Sequence, residues 1–241
     1  MAKRAAKKRK TSAKRKPRSV YRSILRWGFR VVLAIPAVVL LWVLSLSFFD
    51  PPATPYMTSE ARRLGGVKWV WVDFEAINIR MARSVVAAED ANFCDHWGID
   101  MSALREAIDE GGNRGASTIS QQVTKNVFLW HGRSYFRKAL EAAITPFVEI
   151  FWSKRRILEV YLNVAEFDEG VFGVEAAGKH YFGVSAKDLS STQSALLAAL
   201  LPNPKERSAS RPGAYTRKRA EAIKDGAATI AADGRDRCFA D

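Results

Sequence analysis

The stretch from Val31 to Phe49, VVLAIPAVVLLWVLSLSFF, holds 19 residues without a charged side chain. At about 1.5 Å per residue a helix of that length reaches roughly 29 Å, close to the hydrocarbon thickness of a bilayer. A buried core helix of that length would carry a polar face, and the apolar part of a cleaved leader is ordinarily shorter. The run is therefore read as a retained transmembrane helix over residues 31–49. Charge fixes its direction. Thirteen bases, from Lys3 to Arg30, precede the run, and no acid occurs before Asp50. An excess of Lys and Arg marks the cytoplasmic side, so residues 1–30 are expected to form a basic cytoplasmic arm, with everything from Asp50 outside. Its first part, KRAAKKRKTSAKRKPRS, is of low complexity, expected to be disordered and drawn to anionic lipid headgroups.

The whole chain has 38 Lys and Arg against 25 Asp and Glu, but outside the arm the count is 25 against 25. A balanced body lacks the positive footprint that phosphate-backbone recognition needs, which excludes nucleic acid as its partner. The 192 residues after Phe49 suffice for one domain with a real core. Cys94 and Cys238 are too few for a disulfide framework and lack metal-site spacing. An oxidising exterior permits a bridge between them, and two unpaired thiols are equally open.

Residues 50–66 are Pro-rich and polar, read as a linker, and Val67 to Asp73 alternates like a short strand. From Ala76 onward the apolar spacing turns helical, over residues 82–93, 101–109, 117–129, 135–145, 153–164, 174–181, 190–200 and 215–230. The expected fold class is mainly α, with residues 67–241 as one domain.

Three segments carry polar residues that packing does not require. In AEDANFCDHWG, offsets of four and seven place Glu89, Phe93 and His96 on one face if the helix continues. Partial burial beside the aromatic ring would raise the proton affinity of Glu89 and suit it to general base work; a helix end with surface carboxylates is the plainer alternative. In GGNRGASTISQQVTKN, Thr118 and Gln121 have capping-box spacing, and free N–H groups at the helix start, with Lys125 farther along, suit an anion such as phosphate. No Gly-Lys-Ser/Thr follows the glycines, so this is not a Walker loop. In RKALE, Arg137 and Lys138 stand four and three residues before Glu141, where two cations would hold the acid ionised and face an anionic leaving group. Two further segments, Lys154 to Asn163 and Gly170 to Gly183, read as helix packing.

Together and in order, these five segments resemble the signature elements of the peptidoglycan glycosyltransferases: Glu89 to Gly98, Gly115 to Asn126, Arg137 to Glu141, Lys154 to Asn163, and Ala176 to Gly183. The resemblance implies a lysozyme-like helical head with a small membrane-proximal jaw, and processive polymerisation of lipid II onto an undecaprenyl-linked glycan. It assigns Glu89 as the base that deprotonates the acceptor 4-hydroxyl, and Glu141 as the second essential acid, near the donor pyrophosphate. It places Asp90, Phe93, His96, Ser117, Ser120, Gln121, Gln122, Lys125, Asn126, Arg137 and Lys138 around the substrates. A divalent cation, magnesium or manganese, is compatible with the family; no protein ligand set for one is assigned. The resemblance further implies a cell inner membrane location, with transpeptidases and division proteins as partners. No Ser-x-x-Lys or Lys-Thr-Gly occurs, so no transpeptidase activity is expected. The aromatics from Val127 to Phe136 are expected either in the jaw, dipping into the membrane interface, or in the core. A glycan hydrolase or lytic transglycosylase is the enzymatic alternative, and a silent membrane scaffold the non-enzymatic one.

Overall fold

The computed structural model describes residues 18–109, 111, 115, 117–132 and 134–240. Most of the low-complexity arm lies outside that set. The chain divides into two compact units after Trp42. Helix α1, Arg18–Leu46, supplies the described part of the first. Its stretch Val20–Ser45 is long and apolar enough to cross a membrane, and nearly all of it is exposed. The helix starts earlier than the uncharged run and stops at Leu46, where the Ser47 hydroxyl turns back to donate to the Leu44 carbonyl at 2.6 Å.

In the second unit the expected linker contains a helix, α2 (Pro55–Leu64). Thr54 caps it by accepting from the Met57 N–H at 3.2 Å, Pro55 occupies a position whose N–H would have no helical partner, and Gly65 ends it at φ 79°. Strand β1 is only Lys68–Trp69, shorter than the alternation predicts. Helix α3, Ile79–Glu89, was expected to reach Phe93. It stops because Asp90 leaves helical geometry, at φ −163° and ψ 69°, so Glu89, Phe93 and His96 do not share a helical face.

Helix α4, Met101–Asp109, begins where Asp100 Oδ1 accepts from the N–H groups of Ser102 and Ala103, each at 2.9 Å. Helix α5, Ile119–Phe128, carries the capping box that its spacing predicts: Thr118 Oγ1 accepts from Gln121 N–H at 3.2 Å, and Gln121 Oε1 from Thr118 N–H at 3.1 Å. Helix α6, Tyr135–Phe151, continues past residue 145 through Pro146, because Val148 and Glu149 extend its buried face. Helix α7 is Lys154–Val164, with Ser153 as cap. Strands β2 (Glu166–Asp168) and β3 (Val171–Phe172) follow, then α8 (Val174–Phe182), α9 (Ser191–Leu200), α10 (Ala214–Asp233) and α11 (Arg237–Ala240).

The small sheet has the order β1-β3-β2. Lys68 and Trp69 pair in parallel with Val171 and Phe172, and β2 runs antiparallel to β3. Buried Asn163 of α7 fastens the segment after β1, accepting from Val72 N–H at 2.9 Å and donating to the Val72 carbonyl at 2.8 Å. Gly173 makes the close return: at φ 79° a Cβ there would lie 2.9 Å from the Asn163 carbonyl oxygen. The core is apolar and continuous, with Met81, Val85 and Val86 of α3, Ile119 and Val123 of α5, Ile157, Leu158 and Leu162 of α7, and Leu197 of α9 all fully buried. Helices α3, α9 and α10 pack together, as do α5, α6 and α7.

Cys94 and Cys238 form a disulfide, with Cα atoms 5.6 Å apart. It ties α11 to the loop after α3, where Arg235 donates to the Ala91 carbonyl at 3.2 Å and Arg83 pairs with Asp236 at 2.7 Å.

Candidate active site

The last residue of α3 is Glu89, whose side chain is 13% exposed. Gln122 Nε2, from α5, donates to its Oε2 at 2.9 Å, and the Tyr161 hydroxyl, from α7, donates to Gln122 Oε1 at 3.2 Å. Three helices thus meet at one carboxylate. Burial pushes its pKa up, and the Gln122 amide together with the charges of Arg219 and Lys125 opposes that rise. Glu89 opens onto a cavity of about 190 Å³ that Asn92, Asp100, Glu106 and Ser117 also line.

Glu141 is 2% exposed on α6. Arg137 Nη1 donates to its Oε2 at 2.8 Å, and Lys138 Nζ to its Oε1 at 2.5 Å and to Ser117 Oγ at 3.1 Å. Ser117 therefore touches Lys138 and lines the cavity of Glu89. Lys125 provides a second link: burial lowers its pKa, and it feels the charges of Glu141, Arg137, Lys138 and Glu89. With Gln122 and Asn126 it lines a larger cavity of about 410 Å³.

Other expected substrate contacts are turned inward. Asp90 Oδ2 accepts from the Ile119 N–H at 2.9 Å, so a carboxylate of the chain already occupies the start of α5. This corrects the expectation of free N–H groups there waiting for a phosphate. Asp90 Oδ1 meets His96 Nε2 at 2.8 Å. Phe93 is fully buried beneath Lys154, whose Nζ lies 4.5 Å from the ring centroid. Ser120 is fully buried and donates to Glu149, which also accepts from Lys154 Nζ at 2.9 Å, and Gln121 is spent on its cap. These residues hold in place the helices that carry Glu89 and Lys125.

For a cation, Asp90, His96 and Asp100 bring ligand atoms within 4.8 Å of one another. Both carboxylates, however, are occupied by helix N–H groups, and Asp100 also by Asn92 Nδ2 at 2.9 Å. At Glu141 a dication would meet Arg137, Lys138 and Lys125, a set of like charges. Neither arrangement fits a metal in its present geometry.

Several residues of this region went unnoticed in the sequence. Tyr161 lies in a segment read as packing, Arg219 in a basic run on α10, and Tyr56 in the supposed linker. Tyr56 stacks on His131 with centroids 3.8 Å apart and donates to Glu166 at 2.7 Å; burial, with that bond, pushes its pKa up to about 12. Lys205 joins them at the wall of the larger cavity, donating to Glu60 at 2.9 Å. The apolar and aromatic residues from Val127 to Phe136 divide: Val127, Phe128 and Leu129 are buried, whereas Trp130, Tyr135 and Phe136 are 47%, 99% and 67% exposed.

The transglycosylase family matches this chain over residues 58–228. A biosynthetic peptidoglycan transglycosylase of Jannaschia sp. (strain CCS1) is 55% identical over 240 residues, 100% of each chain. One from Caulobacter vibrioides is 44% identical over 92% of this chain and 98% of its own length, and one from Pseudomonas fluorescens (strain Pf-5) is 50% identical over 75% and 79%. The matched range runs from within α2 through most of α10 and includes Glu89 and Glu141, and the chain belongs to the transglycosylase family, whose domain is mainly α and lysozyme-like.

Proposed function

We infer that this chain is a peptidoglycan glycosyltransferase: it polymerises lipid II into β-1,4 glycan strands and releases undecaprenyl diphosphate. The observation that carries the reading is the link, through Ser117, between a largely enclosed carboxylate that accepts from the Gln122 amide and a buried carboxylate held by two cations. In this scheme Glu89 takes the proton from the acceptor 4-hydroxyl as that oxygen attacks the donor anomeric carbon. The bond to the diphosphate breaks on the opposite face, which inverts the centre. Negative charge develops on the leaving group, where Arg137, Lys138 and Lys125 stabilise it. Glu141 orients the first two.

Burial of Glu89 moves its proton affinity toward working pH, as a base needs. A glycan hydrolase has no use for a cation cluster facing a leaving diphosphate. The apolar helix fits a single-pass anchor. We place it in the inner membrane with the N-terminus cytoplasmic and the domain periplasmic, an oxidising compartment that suits the Cys94–Cys238 bond. Exposed Trp130, Tyr135 and Phe136 would form the jaw at the lipid interface. Its glycan strands would pass to transpeptidases for crosslinking.

The test is polymerisation of purified lipid II by the detergent-solubilised full chain. Polymer from the native protein and none from Glu89→Gln supports the scheme; shortening of purified sacculi without polymer overturns it.

A further inference from the structure

Glu89 is held from one direction that the five segments do not include. Arg219, on α10, places Nη2 3.7 Å from Glu89 Oε1 and donates from the same atom to the Ala88 carbonyl at 3.3 Å. Its Nε is buried without a hydrogen-bond partner among the described residues, and its side chain is 27% exposed. An arginine so placed is committed to the end of α3. Its helix is committed too. A Cβ at Gly226 would lie 3.3 Å from Ala87 Cβ, so α10 lies against the last turn of α3. Beyond α10, the disulfide and the Arg235 bond to Ala91 fasten the chain to the loop after Glu89.

We propose that Arg219 is a positioning residue for the general base: it orients the Glu89 carboxylate opposite Gln122 and keeps it charged, so that the C-terminal helix completes the site. This rests on the reading of Glu89 as the base. Gln122 fixes one carboxylate oxygen and Arg219 faces the other, which restricts rotation of the group. Among the described residues, the remaining charged or titratable neighbours are Asp90 at the next residue, Lys125 on α5, Tyr161 on α7, and Asp100 and Glu106 across the cavity. Tyr161 is held protonated by burial. The acids oppose the charge of Glu89, and Arg219 is the cation within ion-pair distance of it among the described residues.

Removing a cation raises a carboxylate's proton affinity, and a base works only when ionised. The acid limb of the rate profile should therefore move up, by about one pH unit for a partner at this distance. Below that limb, the rate of Arg219→Gln should fall about tenfold relative to the native protein, and the gap should narrow as pH rises.

The experiment measures lipid II polymerisation by the full-length protein from about pH 5 to about pH 9 for the native chain, Arg219→Gln, Arg219→Lys and Glu89→Gln, with the melting temperature of each. The expected result is a displaced acid limb in Arg219→Gln, restored by Arg219→Lys, and no activity in Glu89→Gln. An undisplaced limb in Arg219→Gln, with Glu89→Gln inactive, overturns the role of Arg219 alone. If Arg219→Gln does not fold, Arg219→Lys decides: a native limb supports the proposal, and a displaced one overturns it. Activity in Glu89→Gln overturns the base assignment, and the proposal with it.

Discussion

The disulfide offers the perturbation with the most calculable effect. Cys94 and Cys238 are 144 residues apart. Closing a loop of that length removes about 17 cal/mol/K from the unfolded chain, or about 5 kcal/mol at 25 °C. A denatured chain that is already partly compact makes this an upper value. For a domain of this size it corresponds to a fall of roughly 10–20 °C in melting temperature. Native contacts should survive, because Arg83 still pairs with Asp236, Arg155 Nη1 still donates to the Phe239 carbonyl at 3.0 Å, and Phe239 stays in its pocket at 1% exposure. The double variant Cys94→Ser, Cys238→Ser should thus keep its activity at low temperature while melting far earlier. Thermal melts of the oxidised protein, the reduced protein and the variant supply the check. A loss under about 1 kcal/mol, or two titratable thiols in untreated protein, would refute the reasoning.

For Glu89→Gln, polymerisation should drop by at least about 100-fold. Stability should move the other way. Burial raises the pKa of Glu89, so its stabilising contribution is present below the ordinary carboxylate range and is lost as pH rises through the folded value. At neutral pH the glutamine variant should melt at or above the native temperature, an advantage that disappears in acid; a lower melting point at neutral pH would contradict the burial account. Arg137→Ala should cost about 3 kcal/mol by leaving buried Glu141 with Lys138 as its one ion-pair partner among the described residues, since the Arg137 and Glu141 side chains are nearly enclosed, at 11% and 3% exposure. Lys138→Ala, at 46% exposure, should cost about 1 kcal/mol or less, and denaturant titrations that rank the two equally would sink the distinction. Gly98→Ala should destabilise by about 1–3 kcal/mol. Its φ is 80°, and a Cβ would lie 2.6 Å from Thr145 Cγ2, so an unchanged melt would show that the loop relaxes freely.

Where local chemistry decides, the sequence is readable. The α5 start follows from Thr118 and Gln121, α4 keeps its expected bounds at Met101 and Asp109, and Arg137 and Lys138 meet Glu141 because helical spacing alone brings them there. The mainly α class was legible in the same way, and the lysozyme-like head and the activity through the resemblance that the five ordered segments carry. Tertiary contacts were not. No periodicity shows that Asp90 will abandon α3 to cap another helix, that Cys94 will find Cys238, or that Arg219 of an Arg-Lys-Arg run will reach Glu89. Helix α2 is a different case: Thr54 and Pro55 announce it, but the proline content around them reads as linker.

Asp90 ends the helix bearing Glu89 and also begins the helix bearing Gln122 and Lys125. The walls of the two cavities consequently hinge on a single carboxyl group, and neither can drift without dragging the other. A substitution near Asp90 that shifts Glu89 would displace Gln122 and Lys125 in the same stroke, so variation in this enzyme should collect at the rim and spare the pivot.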